Sequence, residues 1–149
     1  KLVLAAKRSD LADPRIATGI ARLGLAEEVV FLDFVPEEHL PALYAAASVF
    51  VYPSLYEGFG FPPLEAMACG TPVVCSRASS LPEVVGDAGL LVDSTCPGEM
   101  CAALERALAD AELRRTLVAR GLRRAAVFSW QETAKRTLAV YEQAVGGKL

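Results

Sequence analysis

The chain has one histidine and four cysteines in 149 residues, and their spacing excludes several chemistries at once. Cys69, Cys75, Cys96 and Cys101 form no C-x-x-C pair and no zinc pattern with His39. They read instead as reduced, mostly buried small hydrophobes of a cytosolic protein. His39 stands among Glu37, Glu38 and Pro41 at a helix start and reads as a surface histidine. No run of about 20 apolar residues and no signal peptide occurs, so neither a membrane span nor a secretory leader is expected in these residues. A net charge of −3 gives no electrostatic case for nucleic acid or an anionic membrane surface. Repeats and low-complexity segments are missing as well. What remains is 53% hydrophobic and 22% charged, the composition of one globular domain with a real core.

The chain alternates strand and helix patterns. Leu2-Val-Leu-Ala-Ala6 reads as a strand, and residues from about Asp10 to Leu23 as a helix stopped by Gly24. Val29–Leu32 is a continuous apolar run of the parallel-sheet kind. A helix over Glu37–Ala47 leads to a third strand, Val49–Tyr52, and two more strands fall at Pro72–Cys75 and Gly89–Val92. Short connections and regular alternation predict an α/β fold, a Rossmann-like doubly wound parallel sheet. From Pro97 onward the pattern is helical: Glu99–Ala109, Ala111–Phe128 and Trp130–Val145. Ser129 is placed to cap the last helix with Glu132 as its capping-box partner, and Trp130 to anchor it by packing. Arg114, Arg115, Arg123 and Arg124 resemble a phosphate patch but read better as solvated helix faces.

The chemistry concentrates between Ser54 and Pro72. The third strand runs into Gly58 and Gly60, where backbone amides can approach a ligand unobstructed. Pro62 and Pro63 suit a first helical turn, and Gly70 with Thr71-Pro72 closes that helix after about two turns. Strand, glycine loop and helix start together make a place for an anion such as a diphosphate. Glu57 enters this loop, and Glu65, eight positions on, is expected in the first helical turn. Glu65 alone could serve its helix through the macrodipole. Glu57 lies at the carboxyl end of a buried strand, where open α/β sheets bind ligands. Two acceptor-only groups beside a phosphate suit hydroxyls, on a ribose at one end and a sugar at the other, and so point to a nucleotide sugar.

Glu57-Gly-Phe-Gly-Phe-Pro-Pro-Leu-Glu65 resembles the E-x7-E signature of the group-four family of retaining glycosyltransferases, which pair two Rossmann-like domains in the GT-B architecture. The likeness continues upstream from Phe31 to Ser54, and downstream through Gly70-Thr-Pro-Val-Val74 and Leu81-Pro-Glu-Val-Val-Gly-Asp-Ala-Gly-Leu-Leu-Val-Asp93. It spans nearly the whole chain and implies a single, N-terminally truncated donor-binding domain. By resemblance, Glu57 contacts hydroxyls of the donor sugar and Glu65 holds the nucleotide ribose. Gly58, Phe59 and Gly60 would face sugar and diphosphate through their amides, with the helix start at Leu64 reinforcing the phosphate contact. Phe34-Val35-Pro36 resembles the segment that lines the base, with Leu40 nearby; Phe59 and Leu40 also fit ordinary core positions.

The sequence departs from that pattern in two places. The arginine and lysine that neutralise the diphosphate in the family are expected on a loop that would precede Lys1, and Lys7 and Arg8 stand one βα unit too late to be that pair. Ser79-Ser80 replaces two glycines often seen before Leu-Pro-Glu and resembles mannosyl- and rhamnosyltransferase-like members, implying a GDP-sugar donor beside the UDP-sugar alternative.

The resemblance implies sugar transfer with retention of anomeric configuration, by a front-face substitution assisted by the leaving phosphate. The two glutamates are accordingly not the acid and nucleophile of a hydrolase. No Asp-x-Asp lies near the loop, so no metal and no other cofactor is expected. An acceptor glycan or lipid would be held by the missing N-terminal domain, in a parent that is cytoplasmic or membrane-peripheral. Three other readings stay open: a nucleotide-binding module without catalysis, a half-enzyme completed by a partner, and a phosphorylase-like protein. The last would need a pyridoxal-binding lysine, and residues Ser54–Gly70 contain none.

Overall fold

The computed structural model describes residues 1–6 and 13–146, which places Lys7, Arg8 and Asp10 outside the described residues. They fall into two compact units, Lys1–Ala42 and Leu43–Leu149.

In the first unit, β1 (Leu2–Ala5) pairs in parallel with β2 (Val29–Leu32), Leu2 opposite Val29 and Ala5 opposite Leu32. The crossover between them carries α1, Pro14–Leu23. Its start follows from two residues. Asp13 accepts the Arg15 amide at 2.8 Å, and Pro14 sits where a helix has no use for an N–H. Gly24 ends it, as the sequence suggests. Leu2, Val3, Val30 and Phe31 remain exposed, unlike the strands of a sheet covered on both faces. The expected helix from Glu37 divides into a 3-10 turn, Glu37–His39, and α2, Leu40–Ala46. His39 is exposed, as the sequence suggests.

The second unit holds a three-stranded parallel sheet in the order β3 (Phe50–Tyr52), β4 (Val73–Ser76), β5 (Leu90–Val92). Register sets Phe50 opposite Val73 and Val74 opposite Leu90. The central strand is covered on both faces: Val73, Val74 and Cys75 are at 0% exposure. Burying a valine of this kind contributes about 1.5–3 kcal/mol. Ala103 and Ala107 of α5 (Pro97–Ala109) pack with Val74 and Val92 in the core.

The helix α6 (Ala111–Val127) lies against α3 (Phe61–Ala68), and Gly121 permits the approach. A Cβ there would meet Met67 Cγ at 3.2 Å. A helix that the sequence pattern did not reveal, α4 (Leu81–Val85), follows β4 and runs into a 3-10 turn, Gly86–Ala88. It has five residues and no side-chain cap, too short for a periodic signal.

Four expectations change in detail. Arg124 is no solvated arginine. Its Nε donates to the Val84 carbonyl at 2.9 Å, its Nη2 donates to the Glu83 carbonyl, and its guanidinium lies 4.9 Å over the Phe128 ring. It thereby satisfies carbonyls at the end of α4 that the short helix leaves over. Ser129 does cap α7 (Trp130–Gly146), accepting the Glu132 amide at 3.1 Å, but the Glu132 carboxylate turns to Arg136 at 2.8 Å. Trp130 is 75% exposed rather than packed into a core, stacking on Phe61 with centroids 6.3 Å apart. All four cysteines are free thiols; Cys75 is buried and Cys69 half-buried, while Cys96 and Cys101 are exposed, against the expectation of mostly buried cysteines. Burial pushes the Cys75 thiol up to about 12.

Candidate functional site

At the carboxyl end of β3 the chain enters a loop, residues 53–60, and then α3. Gly60 caps the helix at φ 109°, a conformation closed to side chains, and a Cβ on it would fall 2.7 Å from Leu81 Cδ2. A helix start leaves four amides without intrahelical partners. Here those positions are Gly60, Phe61, Pro62 and Pro63, so the two prolines reduce the donors to Gly60 and Phe61. Leu64 stands one position beyond this set and is half-buried.

Each glutamate is held by a tyrosine. The Tyr52 hydroxyl donates to Glu57 Oε1 at 2.6 Å, and the Tyr44 hydroxyl donates to Glu65 Oε2 at 3.0 Å. Tyr44 is 8% exposed, and its own carbonyl accepts from Thr71 Oγ1 at 2.7 Å. Phe50 joins the two phenols, meeting Tyr44 edge-on at 5.2 Å and stacking on Tyr52 at 6.0 Å. The Tyr52 hydrogen bond, with a smaller one from Ser54, holds the Glu57 carboxyl below the usual carboxylate range. Burial first and Glu57 second push the Tyr52 phenol up to about 12; burial and Glu65 raise Tyr44 further. Both phenols are therefore fixed as donors and Glu57 is fixed as an acceptor.

Glu65 lies in the second turn of α3, not the first as expected, because the helix starts at Phe61. Its charge is past the reach of the helix-end dipole. The macrodipole does not account for it, whereas a hydroxyl-accepting role is compatible with its exposed position.

The loop itself is tied to the β4–α4 connection. Ser79 Oγ accepts the Glu57 amide at 2.8 Å, and the single Ser80 hydroxyl proton is shared between the Phe59 carbonyl at 2.7 Å and the Glu57 carbonyl at 3.0 Å. Gly58 is exposed. The Phe59 ring turns into an aromatic cluster with Phe61 and Phe128, at 4.7 and 5.7 Å, so only its backbone belongs to the loop surface. Phe34, Val35 and Leu40 belong to the first unit; Phe34 is 73% exposed and the other two are half-buried. Among the described residues, no group of three His, Cys, Asp or Glu side chains is placed to hold a metal ion.

Tyr44, Tyr52, Ser79 and Ser80 are the residues that sequence reasoning missed. A phenol five positions before Glu57, at the end of an otherwise apolar strand, was the available signal for Tyr52. Ser79-Ser80 stood out as a departure, but nothing in the spacing tied it to a loop more than twenty residues away.

A parallel strand feeding an amide loop, a helix start and two tyrosine-held carboxylates place this unit among the Rossmann-like ligand-binding α/β domains. Residues 15–124 match the family described as Glycosyl transferases group 1. The O-antigen chain mannosyltransferase B of Escherichia coli is 53% identical over 112 residues, which cover 75% of this chain and 29% of that protein. Among solved structures, sucrose-phosphate synthase from Thermosynechococcus elongatus superposes with a TM-score of 0.83 at 34% identity, over 99% of this chain and 39% of that one. HepE from Anabaena, solved in complex with UDP and glucose, gives 0.81 at 26% identity, over 95% and 40%. The chain thus belongs to the group 1 glycosyl transferase family, and it spans about a third of the length of the relatives it matches. No helix among the described residues is long and apolar enough to cross a membrane.

Proposed function

We propose that this chain is the donor-binding part of a retaining glycosyltransferase, the segment that holds a nucleotide-diphosphate sugar while residues outside it hold the acceptor glycan or lipid. The observation that carries this reading is the pair of carboxylates, Glu57 and Glu65, each oriented by its own tyrosine on either side of an amide loop. A hydroxyl-rich ligand with an anionic centre matches that pattern: sugar at Glu57, ribose at Glu65, diphosphate between them at the amides of Gly58 and Gly60. The complex of HepE with UDP and glucose supports the ligand class, the E. coli mannosyltransferase supports a hexose as the sugar, and a GDP-sugar stays the alternative donor.

Breaking the anomeric bond puts negative charge on the departing diphosphate. Loop amides and the positive end of α3 lie where that charge develops. Glu57 orients the sugar and keeps its charge through the reaction, consistent with front-face departure and retained configuration. The working location is cytoplasmic.

Calorimetry with UDP, GDP and their sugars tests the site, and proton NMR of the first-formed product tests retention. Micromolar binding of one nucleotide and an unchanged anomeric configuration are expected of the full-length protein, with no turnover from the 149-residue chain alone. An inverted product removes the retaining mechanism; failure to bind either nucleotide removes the donor site.

A further inference from the structure

The geometry points to Ser79 and Ser80 as positioning residues for the donor: a hydroxyl latch that turns the Gly58 and Gly60 amides away from Ser80 and fixes the backbone of Glu57. This inference rests on the donor-site reading above and adds the residues that shape the site. In a trans peptide the carbonyl of one residue and the amide of the next point in opposite directions. The one Ser80 hydroxyl proton is shared by the carbonyls of Glu57 and Phe59, with Oγ at 3.0 and 2.7 Å from them. Gathering these two carbonyls onto one hydroxyl turns the following amides, those of Gly58 and Gly60, away from Ser80. An anion site needs amides facing the ligand and carbonyls facing the protein. One serine imposes that polarity on the two glycine peptides of the loop.

Ser79 adds the second hold. Its Oγ accepts the Glu57 amide at 2.8 Å, so neighbouring serines take both polar groups of the Glu57 backbone while Tyr52 takes the side chain. Ser79 has φ 50°, the left-handed conformation, and among the described residues it is the non-glycine residue with positive φ. Glycine adopts that conformation freely and serine does not. The side chain is exposed, so packing does not demand a serine there. Strain kept at an exposed position beside a ligand loop has its return in the hydrogen bond to Glu57.

The two substitutions separate positioning from folding. Ser79→Gly removes the latch and relieves the backbone, so its thermal midpoint should equal or exceed that of the wild type while the Glu57 amide exchanges faster with solvent. Ser80→Ala frees the two carbonyls; nucleoside diphosphate should bind about tenfold more weakly, the effect of about one lost oriented hydrogen bond. Nucleoside monophosphate, which reaches the loop with one phosphate fewer, should lose less, so the ratio of the two affinities falls. Ser80→Thr keeps the hydroxyl and should restore the ratio. The full-length protein would be titrated by calorimetry with UDP, UMP, GDP and GMP, alongside amide exchange and thermal melts. An unchanged ratio in Ser80→Ala, with wild type binding normally, overturns the latch and leaves the donor site standing. Loss of both nucleotides in proportion to a lowered midpoint, without rescue by threonine, overturns it too. A wild type that binds no nucleotide removes the donor site and the latch together.

Discussion

If Glu65 accepts ribose hydroxyls and Glu57 touches only the sugar, replacing each should separate nucleotide binding from sugar binding. Alanine is a poor probe at Glu65. It would strip the acceptor from Tyr44, a phenol 8% exposed, and an orphaned buried hydroxyl costs about 1–3 kcal/mol of stability. Glutamine keeps an oxygen for Tyr44 and removes only the charge. A hydrogen bond to a charged group is worth about 1.5–3 kcal/mol against about 0.5–1.5 for a neutral one. Glu65→Gln should therefore weaken UDP or GDP binding by about 1–1.5 kcal/mol, on the order of five- to tenfold. Glu65→Ala, once shown to fold, should lose on the order of ten- to a hundredfold. Glu57→Gln should bind the free nucleotide as the wild type does and show its deficit in sugar transfer, where orientation of the anomeric centre counts most. Calorimetry on the three variants, paired with transfer kinetics of the full-length protein, measures both. Equal loss of nucleotide affinity in the Glu57 and Glu65 variants would refute the division of labour.

Three further outcomes follow from the same contacts. In Tyr52→Phe, the Glu57 carboxyl should titrate higher, back toward the usual range, as read by carbon-13 NMR of the side chain. Because Glu57 titrates lower in the fold than in the unfolded chain, its contribution to stability is present above the unfolded value and lost as pH falls through the depressed one; Tyr52→Phe should flatten that acid limb. Gly121→Val should destabilise the protein by about 1–3 kcal/mol in urea unfolding, since even the Cβ meets Met67 Cγ at 3.2 Å and the added methyls have nowhere to go. Chelation by EDTA should leave sugar transfer by the full-length protein nearly unchanged, and a loss restored by magnesium or manganese would overturn the assignment of leaving-group stabilisation to the loop amides and α3.

Much of the order of elements was readable because each signal was local. The strand at Val29–Leu32 has the predicted bounds, and the helix over Ala111–Phe128 ends within one residue of its expectation. Boundaries moved where side chains could not mark them: Glu65 slipped from first turn to second because α3 starts at Phe61, one residue before the prolines expected to open it. The two glutamates and the glycine loop stood out in the sequence by residue type and by their likeness to the E-x7-E signature. Their supports did not, because hydrogen bonds from Tyr44 to Glu65 and from Ser79 to Glu57 cross 21 and 22 residues of sequence. Only the fold brings such pairs together. Arg124 misled for the same reason, since its carbonyl partners lie 40 and 41 residues away at the end of a helix too short to predict.

The same contrast bears on how the site would work. A glycine loop has many conformations of similar energy, and a ligand that had to select one would forfeit affinity to that ordering. Here the ordering is supplied in advance by groups that touch no ligand in the proposed scheme: Tyr52 and Ser79 on Glu57, Tyr44 on Glu65, Ser80 on two carbonyls. Their anchors differ in stiffness. Tyr44 is tied to Thr71, two residues before the fully buried strand β4, whereas Ser79 sits in an exposed connection. The Glu65 end should therefore be rigid and the Glu57 end easier to reshape. In the proposed scheme that difference holds the nucleotide end firm and leaves the sugar end adjustable, with the nucleoside diphosphate still free to leave before the next donor binds.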